Sequence, residues 1–168
     1  DVCSSDLASA VVRARSISFE PVPHTVDRLR QQVLINGIQD LVQIEHKGVG
    51  DKQGKLAFSL HSDTMNKVVL DRDADDVLQV DLVALDDVLD QNADYLFKID
   101  VEGFECFVLD GAKEVLASGR VLAVIIEING SVEAFGHTND DVHEKLCAYG
   151  FEPVSYNPVS RELLPITG

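Results

Sequence analysis

Basic residues are scarce in this sequence. Its 168 residues include 14 Lys and Arg against 29 Asp and Glu, which gives a formal net charge of −15. Nucleic-acid backbones and anionic membrane surfaces are bound mainly through basic patches, so neither is an expected partner. Long apolar runs are also missing, since none approaches the roughly 20 residues that a membrane-spanning helix requires. No basic stretch followed by an apolar one, the pattern of a signal peptide, is visible near residue 1.

Cysteine is sparse as well. The three cysteines, Cys3, Cys106 and Cys147, are far apart in the sequence. Their number is odd, and no pair has the spacing of a zinc site or of a CxxC motif. Because Cys106 and Cys147 lie inside apolar helical patterns, we predict that both are small core residues. This use of cysteine fits a reducing compartment, and we expect a cytoplasmic protein.

The length fits a single domain that covers residues 1–168. Apolar runs typical of strands alternate with segments of helical periodicity, which predicts an α/β fold with a mostly parallel sheet. The last two predicted strands, residues 151–156 and 162–166, are separated by Asn157 and Pro158 and are expected to pair in antiparallel fashion. The remaining predicted strands cover residues 16–19, 41–45, 56–60, 68–70, 77–83, 95–99 and 121–126.

Two of the predicted elements carry a specific expectation. The continuous apolar run at residues 121–126 predicts a strand that is buried on both faces. A single helix is predicted between Gly103 and Gly119, and Gly111 with Ala112 would let it approach the sheet closely.

Three other segments are interpreted from local composition. Residues 46–55 contain glycines and are interpreted as a loop. The acidic run at residues 71–76 is interpreted as a solvated turn, with a cation site as the alternative. A helix is predicted over residues 138–149, with Thr138 or Asn139 as its N-cap.

Three predicted strands end in an acidic residue. Glu20 follows residues 16–19, and Asp100 and Glu127 follow the strands at 95–99 and 121–126. The carboxyl ends of parallel strands share one edge of a sheet, and ligands bind just outside that edge. We therefore predict that these carboxylates line one cleft. Each has a structural alternative, because a carboxylate at a strand end can also stabilise the N-terminus of the next helix.

Glu20 has a specific chemistry available. An acid at the end of the second strand of a Rossmann-like unit can accept both hydroxyls of an adenosine ribose, in dinucleotides and in S-adenosylmethionine alike. The upstream G-x-G-x-x-G pattern of a dinucleotide enzyme is absent, and so is the Walker pattern G-x-x-x-x-G-K-[ST]. The loop at residues 48–51 is placed to contact an adenine ring, and a simple hairpin turn is the alternative for it.

Four blocks of sequence follow one another in order: SFEPVP at residues 18–23, GVGDKQG at 48–54, KIDVEGFE at 98–105 and IEI at 126–128. In order and spacing they resemble the FkbM family of S-adenosylmethionine-dependent methyltransferases, over residues 16–157. The block KIDVEGFE is the most specific of the four. The triplet FEP alone would be weak, because many class I methyltransferases carry it.

The resemblance implies a Rossmann-like class I methyltransferase fold, with S-adenosylmethionine as the methyl donor. It also implies O-methylation of a sugar or natural product, so a small-molecule or glycan acceptor is the expected partner. The roles it carries over by position are ribose binding by Glu20, adenine contacts by Val49, Gly50 and Asp51, and the methyl-transfer edge for Asp100 and Glu102.

One part of the family pattern does not appear. Its first strand and glycine-rich D-x-G-A-N-x-G loop are expected before Ala8, where residues 1–7 read DVCSSDL and resemble a translated sequencing adapter. The alternative for these residues is a genuine helix start. Because the missing loop would hold the methionine end of the cofactor, we expect weak or no cofactor binding, which is compatible with an inactive fragment of an active enzyme. A non-catalytic Rossmann-like domain and an NAD(P)-dependent oxidoreductase are the alternative functions.

Methyl transfer to a hydroxyl group is helped by a base within hydrogen-bond reach of the proton that leaves. Asp100 is the first candidate for this base and Glu102 the second, while Glu127 would orient the substrate. A metal-assisted version, with these three carboxylates around a hard cation, is an alternative. No histidine ligand or strict motif supports it, so no metal is predicted.

Overall fold

The computed structural model describes residues 4–59 and 77–166. Cys3, the predicted strand at 68–70 and the acidic run at 71–76 lie outside these residues. The described strands are β1 Ser16–Phe19, β2 Val42–Glu45, β3 Gly48–Val49, β4 Gly54–Ser59, β5 Val77–Val83, β6 Tyr95–Ile99, β7 Val121–Ile126, β8 Val154–Asn157 and β9 Glu162–Pro165. The described helices are α1 Ser4–Val12, α2 Pro23–Ile35, α3 Leu85–Val88, α4 Glu105–Asp110, α5 Lys113–Ala117 and α6 Asn139–Ala148, with a 3₁₀ helix at Ser131–Phe135.

Parallel pairing dominates the strands, as the alternation of strands and helices predicts. Strand β1 pairs with β2, β3 with β5 and β6 with β7, each pair in parallel orientation. Strand β4 runs antiparallel to β5. The predicted C-terminal pair is confirmed, because β8 and β9 are antiparallel, with Val154 opposite Pro165. The architecture is therefore mixed α/β with a C-terminal antiparallel hairpin.

The interpretation of residues 46–55 as one loop is wrong in part. Gly48 and Val49 form the short strand β3, and β4 begins at Gly54. A Cβ atom on Gly48 would lie 2.7 Å from Leu82 Cδ2, so the missing side chain lets this segment approach β5 closely. Two residues are too short a run for sequence periodicity to reveal.

The single helix predicted between Gly103 and Gly119 is also wrong, because the chain breaks it into α4 and α5 at Gly111 and Ala112. Asp86 explains the break. Its two carboxylate oxygens accept hydrogen bonds from the backbone N–H groups of Glu114 and Val115, at 2.9 Å each. These N–H groups have no partner inside α5, so Asp86 caps the second helix from a distant part of the chain.

The main core lies between the β6–β7 pair and helices α3 to α6. Cys106 belongs to it and has no exposed surface, which confirms one cysteine prediction. The other is wrong, because Cys147 on α6 is exposed. A smaller cluster joins α2 to β2 through Leu29, Val33 and Ile38, with Val42 on the strand.

The prediction that strand β7 is buried on both faces is wrong. Val121 is buried, but Leu122 and Ile125 are 71% and 58% exposed. On the neighbouring strand β6, Leu96 is 64% exposed while Phe97 is buried. The helices therefore cover one face of the pair, and the other face is open among the described residues.

Among residues 4–59 and 77–166, no helix is both long and apolar enough to cross a membrane.

The N-terminus of α6 gives a prediction on stability. Thr138 Oγ1 accepts the backbone N–H of Asp141 at 3.1 Å, and Asp141 Oδ2 accepts the backbone N–H of Thr138 at 2.7 Å, which is the reciprocal pair of a capping box. Thr138→Ala should lower the free energy of unfolding at neutral pH by about 1 kcal/mol, measured by urea titration. Thr138→Ser keeps the hydroxyl and is the matched control.

The hydrogen bonds from Thr138 hold the pKa of Asp141 below its ordinary value. A lowered carboxyl pKa stabilises the folded state above the unfolded pKa, and this contribution is lost as the pH falls through the folded pKa. Thr138→Ala keeps the backbone N–H and removes only the hydroxyl that donates to Asp141 Oδ2 at 3.0 Å, so the part of the stability difference that comes from this hydroxyl bond should disappear in acid. Equal stability of the Ala and Ser variants at neutral pH would contradict the capping interpretation.

Candidate functional site

The ends of β6 and β7 bring two predicted site residues to one edge. Ile99 and Ile126 are register partners in this parallel pair. The backbone N–H of Glu127 donates to the carbonyl oxygen of Ile99 at 3.0 Å, so pairing continues one residue past the strands. Asp100 and Glu127 directly follow these positions, and both are exposed. The adjacency of the two strand ends that parallel pairing predicts is therefore present.

Asp100 forms an ion pair with Lys98, which lies near the end of β6. Lys98 Nζ donates to Asp100 Oδ2 at 2.7 Å, and the two side chains are about 40% exposed. Exposed pairs of this kind contribute little to stability, about 0–1 kcal/mol, because water screens the charges. The pair fixes the direction of the carboxylate, and Oδ1 is the oxygen that it leaves for another proton donor.

Glu102 lies two residues after Asp100, in a strained turn. Its φ angle is +49°, and Gly103 follows with φ of +103°. Positive φ is uncommon for a residue with a side chain and persists where surrounding contacts hold it. Here Asn129 Nδ2 donates to Glu102 Oε2 at 3.0 Å. This bond ties the turn after β6 to the segment after β7.

Glu105 holds the same turn from the inside. Its side chain is only 2% exposed, and its Oε1 accepts the backbone N–H of Gly103 at 3.1 Å. Its Oε2 is buried without a hydrogen-bond partner among the described residues. Sequence reasoning placed Glu105 in the KIDVEGFE block but gave it no role. Its position two residues after a glycine at a strand-to-helix turn is the sequence signal from which this bond could have been predicted.

Glu20 lies at the end of β1 and is partly buried. Its Oε1 accepts the backbone N–H of Val22, the N-cap of α2, at 2.8 Å. Burial raises the pKa of this carboxyl above its ordinary value, although the Val22 hydrogen bond and nearby His24 and His46 act in the opposite direction. The cap that Glu20 provides is the structural alternative noted for strand-end acids. A carboxylate has a second oxygen, so capping and ligand binding are compatible.

The segment at residues 48–51 lies beside Glu20. His46 Nε2 is 3.1 Å from the carbonyl oxygen of Pro21, and a Cβ atom on Gly48 would lie 3.9 Å from Pro21 Cβ. The backbone N–H of Gly50 donates to the carbonyl oxygen of Val83 at 3.0 Å. Asp51 is exposed, and its Oδ2 is 3.3 Å from Lys52 Nζ.

Gly50 in turn contacts the start of α4. A Cβ atom on Gly50 would lie 3.4 Å from Phe104 Cε1, and one on Gly111 would overlap the Gly50 carbonyl oxygen. A Cβ atom on Gly103 would lie 2.6 Å from the carbonyl oxygen of Ser131. Close contacts therefore lead from Glu20 and Pro21 through Gly48 and Gly50 to the turn that carries Asp100 and Glu102.

Four aromatic rings, which sequence reasoning did not combine, adjoin this turn. Phe104 stacks on Phe107 with 4.4 Å between ring centroids, and Phe135 meets Phe104 edge-on at 5.3 Å. The ring of His137 lies 5.3 Å from that of Phe107. Within residues 4–59 and 77–166, no group of three His, Cys, Asp or Glu side chains has the arrangement to hold a metal ion.

Comparison with known proteins gives one family match. The model of the family described as the methyltransferase FkbM domain matches residues 5–153. Among solved structures, the methyltransferase FkbM from Methylobacillus flagellatus KT is similar, with 18% identity, a TM-score of 0.42 and 66% of this chain covered. The match spans 28% of that protein's chain. No curated protein matches.

Proposed function

Because this chain belongs to the FkbM methyltransferase family, we propose that it catalyses the transfer of a methyl group from S-adenosylmethionine to a hydroxyl group of a sugar or natural product. The site would lie at the carboxyl edge of β1, β3, β6 and β7. The acceptor is a small molecule or a glycan. The net charge of −15 makes nucleic acid and anionic membranes poor partners. The three widely spaced cysteines fit a reducing compartment, for which we propose the cytoplasm.

One observation carries this proposal: the hydrogen-bonded connection between the turn after β6 and the segment after β7. Asn129 holds Glu102 at 3.0 Å, and Glu127 pairs with Ile99 through its backbone at 3.0 Å. Three carboxylates thereby lie on two adjoining loops at the edge where α/β sheets bind ligands. A purely structural role does not require so many acids there, since only one helix, α4, follows this turn directly.

The residues beside this edge have the chemistry that an adenosine requires. Glu20 is a partly buried acid that can accept ribose hydroxyls. Asp51 is exposed at the end of the segment 48–51, where its carboxylate can accept a hydrogen bond from the amino group of adenine. Val49 and Gly50 would lie beside the ring. S-adenosylmethionine, when bound, supplies the methyl group as a sulfonium. The chain's residues position the two reactants, which alone can account for a large part of a rate enhancement.

Asp100 is the proposed base in this scheme. Its Oδ1 would accept the proton of the attacking hydroxyl, while Lys98 holds Oδ2 at 2.7 Å. Glu127 would accept a second hydroxyl of the acceptor and so orient it. Glu102, held by Asn129, is the second candidate for the base.

Cofactor binding tests the proposal through Glu20. We expect weak but saturable binding of S-adenosylmethionine to the 168-residue chain, with a dissociation constant of about 1 mM, or roughly −4 kcal/mol. Saturation-transfer NMR detects affinities of this size. Glu20→Gln should weaken binding at least about tenfold, because the amide accepts hydrogen bonds more weakly than the carboxylate.

The pH provides an independent control on the same residue. Since burial raises the pKa of Glu20, lowering the pH through that value should protonate the carboxyl and weaken cofactor binding in the wild type. Glu152→Gln, an exposed acid near the C-terminal hairpin, is the matched variant and should bind like the wild type. Saturable binding of NADPH instead would favour an oxidoreductase. Micromolar affinity for S-adenosylmethionine in calorimetry would contradict the expected weak binding.

A further inference from the structure

The aromatic cluster of Phe104, Phe107, Phe135 and His137 is not an extension of the main core. Phe107, Phe135 and His137 are only partly buried. Among the described residues, the partly buried side chains packed against that core include Phe19 and Phe151 but neither Phe107 nor Phe135. Aromatic side chains that stand outside a core, with part of each ring open to solvent, are available to a ligand.

The cluster lies between the two halves of the proposed site. Phe104 contacts Gly50 in the segment proposed to meet the adenine, since a Cβ there would be 3.4 Å from its ring. Phe135 contacts Gly103, where a Cβ would be 2.9 Å from Phe135 Cε2. Gly103 belongs to the same turn as Glu102. A molecule bound against Phe135 would therefore lie beside the carboxylates.

The segment that presents Phe135 is held in place by its ends. The 3₁₀ helix Ser131–Phe135 lies between Gly130 and Gly136, with φ angles of +81° and +78°. Asn129 Oδ1 accepts the backbone N–H of Ser131 at 3.1 Å and also its hydroxyl. The same Asn129 donates to Glu102. One side chain thus fixes both a hydrogen-bonding carboxylate and the helix that carries an aromatic ring.

We propose that Phe135 and Phe107 form the acceptor subsite and that the acceptor is a neutral pyranoside. This inference deepens the proposed function and rests on it. A pyranoside offers a face of C–H groups, which the negative face of an aromatic ring attracts, and hydroxyls at its rim for Glu102 and Asp100. Specific polar groups beside aromatic walls are the usual composition of a small-molecule site.

The charges around the subsite select against anionic acceptors. Asp100, Glu102, Glu127 and Glu133 are all exposed near this edge, while Lys98 is already paired with Asp100. A phosphorylated or carboxylated sugar would meet like charges here, which disfavours its binding. A neutral sugar ring keeps the hydroxyls and avoids the repulsion.

The test uses saturation-transfer NMR on the 168-residue chain without cofactor. The probe is methyl β-D-glucopyranoside, with sorbitol as a polyol lacking a ring, glucose 6-phosphate as an anionic analogue and phenol as an aromatic ligand. We expect saturable millimolar binding of the pyranoside. Phe135→Leu, which keeps apolar bulk but loses the ring, should weaken it about fivefold, the size of one lost aromatic contact.

Three further variants keep the result interpretable. Phe135→Tyr retains the ring and should restore binding, and Phe135→Ala should weaken it at least as much as Leu. Tyr156→Ala removes an aromatic side chain, 58% exposed on the C-terminal hairpin, and should leave the affinity unchanged. Unfolding curves of each variant identify any loss that reflects an unfolded chain, and Phe135→Leu is then compared at a temperature where it is folded.

Several results would overturn the inference. These are no pyranoside binding by the folded wild type, equal affinity in Phe135→Leu, or tighter binding of glucose 6-phosphate, sorbitol or phenol. Because no cofactor is present, this outcome is distinct from failure of the proposed function. Pyranoside binding without any S-adenosylmethionine binding would contradict the expected weak cofactor binding and leave the pyranoside inference standing.

Discussion

Gly111→Ala is expected to destabilise this protein by about 3 kcal/mol or more. A Cβ atom at this position would overlap the carbonyl oxygen of Gly50 and would lie 3.3 Å from Ala84 Cα. Both neighbours are backbone atoms, so no side-chain rotation can relieve the overlap. The start of α5 or the Gly50 segment must move, and urea unfolding should show the loss as a lower midpoint with an unchanged slope.

Gly111→Ala should also displace residues 48–51, the segment proposed to contact the adenine ring. The backbone N–H of Gly50 donates to the carbonyl oxygen of Val83, and the carbonyl oxygen of Gly111 accepts the N–H of Asp86, so both residues are bonded to the chain in or just after β5. Displacing Gly50 would break the first of these bonds. Hydrogen exchange of the Gly50 amide, compared in the wild type and in the variant, measures that step separately from global unfolding.

Two other glycines give a graded control. A Cβ on Gly48 would lie 2.7 Å from the tip of the Leu82 side chain, which can rotate, so Gly48→Ala should cost less. Nothing lies within 4 Å of a Cβ on Gly54, and Gly54→Ala should be neutral or slightly stabilising because alanine restricts the unfolded chain. If Gly111→Ala and Gly54→Ala had the same free energy of unfolding, the contact between Gly111 and Gly50 would be contradicted.

The close approach of Gly111 shows what sequence reasoning could predict. A Gly-Ala pair on the inner face of a helical pattern indicated tight packing, and the contact with Gly50 confirms it. The acidic strand ends were predictable for the same reason, because parallel pairing alone brings Asp100 beside Glu127. Both conclusions need only local patterns and the geometry of a parallel pair.

What could not be predicted depends on residues far apart in the sequence. Asp86 breaks the helix at Gly111 by capping α5 from 28 positions away, and Asn129 reaches Glu102 across 27. The exposure of Leu122 and Ile125 has a similar origin, since an apolar run predicts burial but not which elements cover each face. No pattern within one segment contains these facts.

The block KIDVEGFE combines both kinds of information. Its family resemblance was readable, and the match of the FkbM family model to residues 5–153 confirms it. The different roles of the three carboxylates in the block could not be predicted from the sequence. Glu105 is the buried acid that holds the turn, whereas Asp100 and Glu102 face outward, and only tertiary contacts separate these three carboxylates.

Asp100→Asn should reduce the rate of methyl transfer by about 10²–10⁴, the usual contribution of a general base. Asparagine keeps the shape of the side chain but cannot take up the proton that the attacking hydroxyl loses. The folded state should persist, because the exposed Lys98–Asp100 ion pair contributes little to stability. Transfer of tritium from methyl-labelled S-adenosylmethionine, supplied at millimolar concentration to a mixture of neutral hydroxyl acceptors, measures the rate.

Two variants distinguish the base from its neighbours. Lys98→Met removes the ion-pair partner but leaves the Asp100 carboxylate, so it should change the rate far less than Asp100→Asn. Glu102→Gln alters the carboxylate that Asn129 holds, and a larger loss there would make Glu102 the base. Saturation-transfer NMR should give Asp100→Asn the cofactor affinity of the wild type, because the proposed role of Asp100 lies with the acceptor. An unchanged rate in Asp100→Asn would remove it as the base, whereas a weaker cofactor affinity with an equal maximal rate would move it to the donor side of the site.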